Sequence, residues 1–254
     1  MASKAQQKRK ELREKRLAAE SQAKTSDSRQ NLFKIIGIAA FVAVVGIGIA
    51  IAVSVGGSGG SDSGKSTTEV DKLLAGIPQN NTVLGDPKAK VTLVEFADLQ
   101  CPICKQYSDQ VTPKVITGPV KDGKAKFEIK QWTILGPDSG VAAKAAYAAG
   151  LQNKYWNYVE NFYANQGTEN SGYVDDSFLT DIADKSGIPD MDKWNSDRAL
   201  PKWDAIIAAT DSQASALGFT GTPSFGIQKG NGKIQPIADS TSSEALIKAI
   251  NDAQ

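Results

Sequence analysis

The two cysteines of this chain, Cys101 and Cys104, constrain its function more than any other residues. They are its only cysteines, and they closely follow the apolar residues 91–96, which predict a buried strand. Residues 102–111 predict a helix with Pro102 at the first helical position. Cys101 is then the N-cap, where free backbone N–H groups and the helix dipole stabilise a thiolate. Cys104 lies one turn further on, close enough to form a disulfide with Cys101, so the pair indicates a redox site.

A CxxC pair can also belong to a zinc site or form a purely structural disulfide. Zinc sites in proteins have four ligands, and this chain has no histidine and no third cysteine. Only carboxylates could complete such a site within one chain, so the sequence disfavours a metal. A structural disulfide across so short a loop would remove little unfolded-state entropy. Redox chemistry is therefore the favoured interpretation.

The N-terminal part of the sequence has the charge pattern of a membrane anchor. Residues 1–34 carry ten Lys or Arg and four Asp or Glu, whereas residues 35–55 carry no charge. An uncharged run of that length suits one membrane-spanning helix, and its positive flank places residues 1–34 in the cytoplasm. The sequence thus predicts a single-pass protein of the cell membrane with an extracytoplasmic domain. Nucleic-acid binding by the basic tail is disfavoured, because the tail directly precedes the apolar run.

A cleaved signal peptide is the alternative, since residues 50–52, Ala-Ile-Ala, resemble a cleavage site. The charged region and the apolar run are both longer than in ordinary signal peptides, which favours an uncleaved anchor. In either case the cysteines reach a compartment where disulfides persist. Residues 56–68 are rich in Gly and Ser and predict a flexible linker, so the folded domain is predicted at 69–254.

The order of predicted elements after the cysteines favours an α/β fold. A second strand is predicted at 127–135, including Lys130 and Trp132, and a block of helices at 138–218. Strands at 224–228 and 234–237 follow, joined by a loop with an Asn-Gly pair typical of hairpins. Thr241 and Glu244 predict a capping box for a final helix at 242–253.

Two motifs in this order resemble the DsbA-like branch of the thioredoxin superfamily. The first is Cys-Pro-Ile-Cys after an apolar strand, and the second is Gly-Thr-Pro at 221–223 before the late hairpin. The resemblance covers roughly residues 77–254. It implies a thioredoxin fold with a helical insertion between the half that carries the cysteines and the half that carries a cis-proline hairpin.

The resemblance also implies a role for each matched residue. Cys101 would be the nucleophile that forms a mixed disulfide with substrate, and Cys104 the buried resolving thiol. Thr222 and Pro223 would form a cis-proline loop that binds an extended substrate strand, although Pro223 could instead be an ordinary trans proline. Glu95 would be a buried acid that exchanges a proton with Cys104, although it could instead point outward from its strand.

The residues between the cysteines would tune the redox potential in this family. Pro102 fits the pattern, but Ile103 stands where many strong oxidases of the family have histidine. Because Ile103 can neither donate a hydrogen bond nor carry charge, thiolate stabilisation would depend on the helix N-terminus and Lys105. A less stabilised thiolate means a less oxidising disulfide, so the direction of electron flow stays open.

The function predicted from this resemblance is that of an extracytoplasmic thiol–disulfide oxidoreductase. It would introduce disulfides into exported, unfolded proteins and be reoxidised by a quinone-linked membrane protein of the DsbB or vitamin K epoxide reductase type. No bound cofactor is expected, and the lack of a separate dimerisation domain in the sequence favours a monomer. The alternatives are a disulfide isomerase or reductase of the same fold, and a tethered chaperone without redox turnover.

Overall fold

The computed structural model describes residues 65–254. The predicted tail at 1–34, membrane span at 35–55 and most of the linker at 56–68 lie outside the described residues. Among residues 65–254, no helix combines the length and the apolar character that crossing a membrane requires.

A six-stranded mixed sheet forms the centre of the domain. Its strands are β1 (Gln79–Asn80), β2 (Val83–Leu84), β3 (Val91–Ala97), β4 (Ala125–Gln131), β5 (Ser224–Lys229) and β6 (Gln235–Pro236). Their spatial order is β1-β2-β4-β3-β5-β6, with β3 and β4 parallel and the other neighbours antiparallel. The strand that leads to the cysteines, β3, is therefore central and flanked by β4 and β5.

All seven residues of β3 are buried, because side chains cover both faces of the sheet. Leu93 packs in the main core with the helix that carries Cys104. Val94 and Phe96 pack on the opposite face in a smaller apolar cluster. Since successive strand residues alternate between faces, Glu95 lies on the Leu93 face, beneath the helix with the cysteines.

Helices surround the sheet and fill the long connection between β4 and β5. They are α1 (Thr67–Leu74), α2 (Pro102–Gln110), α3 (Thr112–Val115), α4 (Pro137–Gly150), α5 (Tyr155–Ala164), α6 (Asp176–Lys185), α7 (Met191–Asp197), α8 (Lys202–Ala216) and α9 (Ser243–Asp252). A π-helical turn at Ile116–Val120 follows α3. The insertion predicted at 138–218 is thus confirmed as α4 to α8, within the α/β fold that the resemblance implied.

The second strand is shorter at its end than the sequence predicts. β4 contains Lys130 but stops at Gln131, so the placement of Trp132 in the strand is wrong. The Trp132 backbone N–H still donates to the Ala97 carbonyl at 2.8 Å, and its indole N–H donates to Asp211 at 3.0 Å. The indole hydrogen bond towards α8 holds Trp132 beside the sheet after the ladder of hydrogen bonds has ended.

The hairpin of β5 and β6 is confirmed, but its turn differs from the predicted one. The Gly232 N–H donates to the Lys229 carbonyl at 2.9 Å, and Gly230 has a φ of 52°. The turn therefore begins before the Asn-Gly pair and uses Gly230 for the left-handed conformation. Because the loop continues from the end of β5 to Gln235, only two residues of β6 pair with β5.

The predicted capping box at the last helix is wrong. The N-cap of α9 is Ser242, whose hydroxyl accepts a hydrogen bond from the Ala245 N–H. The Thr241 hydroxyl donates instead to Asp239 at 2.8 Å, because that carboxylate lies two residues earlier and also accepts the Thr241 N–H. At the other end of the domain, Ser66 and Glu69 form a capping box that opens α1, so the folded domain begins a few residues before the predicted boundary.

Candidate active site

The two cysteines occupy the positions that the local sequence predicts. Cys101 is the N-cap of α2, Pro102 is the first helical residue, and the Cys104 N–H donates to the Cys101 Sγ at 3.4 Å. Cys101 is 5% exposed and Cys104 is completely buried. Both are free thiols, so the structure represents the dithiol form.

The Gly-Thr-Pro loop lies directly against the N-terminal cysteine. The Cys101 thiol donates to the Thr222 carbonyl at 3.5 Å, and the Thr222-Pro223 peptide bond is cis, as the resemblance implied. Strand pairing explains this contact between Cys101 and Thr222, because Phe96 near the end of β3 pairs with Ser224 at the start of β5. Residues 121 positions apart in sequence thus converge at one end of the sheet.

The environments of the two thiols separate their pKa values. The pKa of Cys101 is lowered to about 7, first by a hydrogen bond with the Cys104 side chain and then by hydrogen bonds from the Thr222 side chain and from the backbone of Cys104 and Ile103. Burial opposes this effect. Burial raises the pKa of Cys104 well above its ordinary value, and the nearby Cys101 and Glu95 raise it further. Cys101 is therefore the thiol poised to ionise.

This difference predicts an order of labelling. With limiting iodoacetamide near neutral pH, we expect Cys101 of the reduced protein to react at least about tenfold faster than Cys104, because only thiolates are nucleophilic. Peptide mass spectrometry after short reaction times would measure both rates. Equal rates, or faster labelling of Cys104, would refute the assignment of Cys101 as the nucleophile.

Glu95 is buried beneath the dithiol, so the alternative of an outward-pointing carboxylate is wrong. Glu95 lies on the central strand and is only 2% exposed. Burial raises its pKa to about 8, and the charges of Glu160 and Cys101 add to this. Glu95 therefore carries a proton near neutral pH and can exchange it with a thiolate.

The residues around the cysteines differ in one respect from the expectation. Ile103 is partly buried and packs against the main core. The Lys105 Nζ forms an ion pair with Asp109 one helical turn away, at 2.7 Å, rather than with the Cys101 thiolate. The hydrogen bonds that stabilise the Cys101 thiolate come from α2 and the Thr222 side chain, and none of them comes from Lys105.

A polar network that the sequence does not reveal fixes the loop before Cys101. Asp98 is fully buried and accepts hydrogen bonds from the backbone N–H groups of Gln100, Ile134 and Leu135 at 2.9 to 3.1 Å. The Gln166 amide donates to the Cys101 carbonyl at 3.2 Å. The signal for Asp98 is a lone acidic residue directly after a buried strand, but two of these three partners, Ile134 and Leu135, lie more than thirty residues away.

The arrangement can form and break one disulfide. Cys101 supplies a stabilised thiolate, Cys104 a buried thiol within reach, and Glu95 a protonated acid beneath them. Within residues 65–254 no group of three or more Cys, Asp or Glu side chains is placed to bind a metal ion. The chemistry that these residues support is thiol–disulfide exchange.

Comparison with known proteins agrees with this chemistry. A family model described as Thioredoxin matches residues 78–252. A probable disulfide bond formation protein D of Bacillus cereus is 26% identical over 145 residues, which cover 56% of this chain and 67% of that protein. The matched stretch spans about two thirds of the length of the curated relatives.

Solved structures extend the likeness to the whole domain. A thioredoxin-like oxidoreductase from Silicibacter pomeroyi is 30% identical, with a TM-score of 0.54, covering 72% of this chain and 96% of that one. Oxidised BdbD from Bacillus subtilis is 20% identical, with a TM-score of 0.60, covering 70% of this chain and 96% of that one, and so shares the fold. The chain therefore belongs to the thioredoxin family, as a thiol–disulfide oxidoreductase with a DsbA-like fold.

Proposed function

We propose that this protein introduces disulfides into exported, unfolded proteins by exchange through the Cys101–Cys104 pair. One observation carries the proposal: the pKa of Cys101 is lowered to about 7 at a helix N-cap, directly above a buried Glu95 whose pKa is raised to about 8. A stabilised thiolate favours the dithiol form, which makes the corresponding disulfide an oxidant. The name of the Bacillus cereus relative, a disulfide bond formation protein, supports the same direction.

The reaction begins with the disulfide form of the protein. A substrate thiolate attacks the Cys101 Sγ, the Cys101–Cys104 bond breaks, and a mixed disulfide links the substrate to Cys101. Cys104 leaves as a buried thiolate, which is unfavourable there because its pKa is raised well above the ordinary value. Glu95 carries a proton at neutral pH and can give it to Cys104, so the charge does not persist in the core.

The second step releases oxidised substrate. Another substrate thiolate attacks the substrate sulfur of the mixed disulfide, a new disulfide forms in the substrate, and Cys101 leaves as a thiolate. Its lowered pKa makes Cys101 a good leaving group. Thr222 and Pro223, against which the Cys101 thiol lies, would bind the substrate backbone during both steps.

Two electrons then leave the Cys101 thiolate and the Cys104 thiol when the disulfide is restored, and the Cys104 proton leaves with them. We assign this step to a quinone-linked protein of the same membrane, with the Glu95 carboxylate accepting the proton of Cys104. Residues 35–55 would anchor the chain so that the domain, a monomer, works outside the cytoplasm at the end of the linker at 56–68. The sequence supports this location through its positive flank and uncharged run.

The redox state of the cysteines in cells tests the proposal. We expect the pair to be mostly in the disulfide form, because an oxidase must be recharged before each turnover. Acid quench followed by alkylation with a mass-tagged maleimide would separate the two forms on a gel. A predominantly reduced pair would contradict the oxidase function and favour the reductase or isomerase alternative, in which a membrane donor supplies electrons.

A further inference from the structure

A second group of charges is buried between α2 and α5, behind the dithiol. Glu160 is 1% exposed, and its Oε2 lies 2.7 Å from the Lys65 Nζ. The Ser108 hydroxyl donates to the same oxygen at 2.9 Å. Lys65 also donates to the Ser108 backbone carbonyl and lies 3.5 Å from Asp109. The buried Glu160 carboxylate thus has both an ammonium partner and a hydroxyl donor, which a buried charge requires.

Ser108 places Glu160 close to the redox centre. Cys104 and Ser108 are four residues apart in α2 and therefore lie one above the other on the same helix face. Both residues are buried, and α2 packs against α5, which carries Glu160. The Glu160 carboxylate is consequently hydrogen-bonded to the side chain one helical turn from Cys104.

Glu95 faces the same buried layer from the sheet. The pKa of Glu95 is raised by burial first and by the charge of Glu160 second. The titratable groups that face Glu95 are Cys101, Cys104 and Tyr107 from α2 and its N-cap, and Tyr155, Glu160 and Tyr163 from α5. Burial raises the pKa of all three tyrosines, so they are neutral near pH 7. Among these groups, Glu160 is then the carboxylate whose negative charge acts on Glu95.

We propose that Glu160 is a positioning residue for the redox reaction: its charge, fixed by Lys65 and Ser108, keeps the proton on Glu95 and so favours proton donation to Cys104 over proton removal from it. This inference rests on the proposed function, in which Glu95 exchanges a proton with Cys104. It adds a residue from the helical insertion to the site, and it biases the site towards oxidation of substrate. A purely structural ion pair would only attach the start of the domain to α2 and α5.

The step that removes the Cys104 proton tests this role. Reduced full-length protein treated with oxidised glutathione forms a mixed disulfide at Cys101, and Cys104 then displaces the glutathione. We expect Glu160→Gln to accelerate this displacement about three- to tenfold near pH 6.5, because more Glu95 is ionised and available as a base. Above about pH 9 the variant and the natural protein should converge, since Glu95 is then ionised in both. Acid quench and mass spectrometry at a series of pH values would measure the rates.

Two comparisons separate this role from a structural one. Asp197→Asn removes another buried carboxylate, 7% exposed and 2.7 Å from the Lys193 Nζ, but in α7 away from the dithiol, and should leave the pH profile unchanged. In a Glu95→Gln background, Glu160→Gln should have no further effect on the displacement rate. A Glu160→Gln profile that superimposes on that of the natural protein, or an effect that persists without Glu95, would overturn the inference.

A second variant protects the test from loss of folding. Lys65→Met combined with Glu160→Gln removes both charges and leaves no unpaired ion in the core, which proteins commonly tolerate. It should shift the pH profile in the same direction as Glu160→Gln alone. If the natural protein fails to displace glutathione at any pH, the proposed function fails. If it succeeds and neither variant shifts the profile, only the role of Glu160 fails.

Discussion

Replacing Cys104 with serine should abolish turnover and leave substrate proteins covalently attached to Cys101. The Cys101 thiol keeps its N-cap position and its hydrogen bond to Thr222, so it still exchanges with substrate disulfides. The buried partner that would displace the substrate from within the protein is missing. We expect the rate of dithiol oxidation to fall on the order of a thousandfold or more, as when other enzymes lose a residue of the reacting unit. Non-reducing gels of whole cells after acid quench would show the adducts.

The matched control is Cys101→Ser, which leaves Cys104 as the remaining cysteine. Because Cys104 is completely buried and its pKa is raised, this variant should lose turnover equally but trap no adducts. Adducts of similar abundance in both variants would contradict the division of labour between the two thiols. Retention of the biological function in Cys101→Ser would favour the tethered chaperone, since a pure binding module needs neither thiol.

The geometry of the dithiol could be predicted because it depends on residues close together in the sequence. A buried strand followed by a cysteine and a proline places Cys101 at an N-cap, whatever the rest of the chain does. The contact of Thr222 with Cys101 follows from no local pattern and could be anticipated only through the family resemblance. Burial of Glu95 was one of two alternatives, and the fold decided it because packed side chains cover both faces of β3.

The remaining parts of the site depend on contacts between distant residues. Lys65 and Glu160 are 95 positions apart, and Asp98 meets Ile134 across 36 positions, so neither pairing leaves a local pattern. At the last helix, Ser242 rather than Thr241 is the N-cap, and Asp239 rather than Glu244 accepts the Thr241 N–H, because several neighbouring residues were chemically able to form a cap. Local sequence therefore predicted the longer strands and the block of helices but not the short strands β1 and β2, whereas the pairing of buried charges required the three-dimensional fold.

Replacing Glu95 with glutamine should make the reduced protein markedly more stable at alkaline pH. The folded-state pKa of Glu95 is raised from 4.5 to about 8. The unfolded chain therefore releases this proton at a lower pH than the folded protein does. The contribution of Glu95 to the free energy of unfolding is full below about pH 4.5 and decreases progressively as the pH rises to about 8. Above that pH it decreases no further. Each pH unit in this window is worth about 1.4 kcal/mol, so the loss is on the order of 5 kcal/mol, comparable to the whole stability of a small domain.

Urea unfolding of reduced full-length protein at pH 5 and pH 8 would measure this loss. Glu95→Gln lacks the titrating group, so its free energy of unfolding should fall much less than that of the natural protein between the two pH values. Cys101 also titrates near pH 7 in both proteins, so most of its contribution cancels in the comparison. Glu128→Gln on the neighbouring strand, whose side chain is 20% exposed, should behave like the natural protein. If the natural protein and Glu95→Gln lose equal stability, Glu95 does not hold its proton in the folded state. Another group would then have to supply the proton to Cys104.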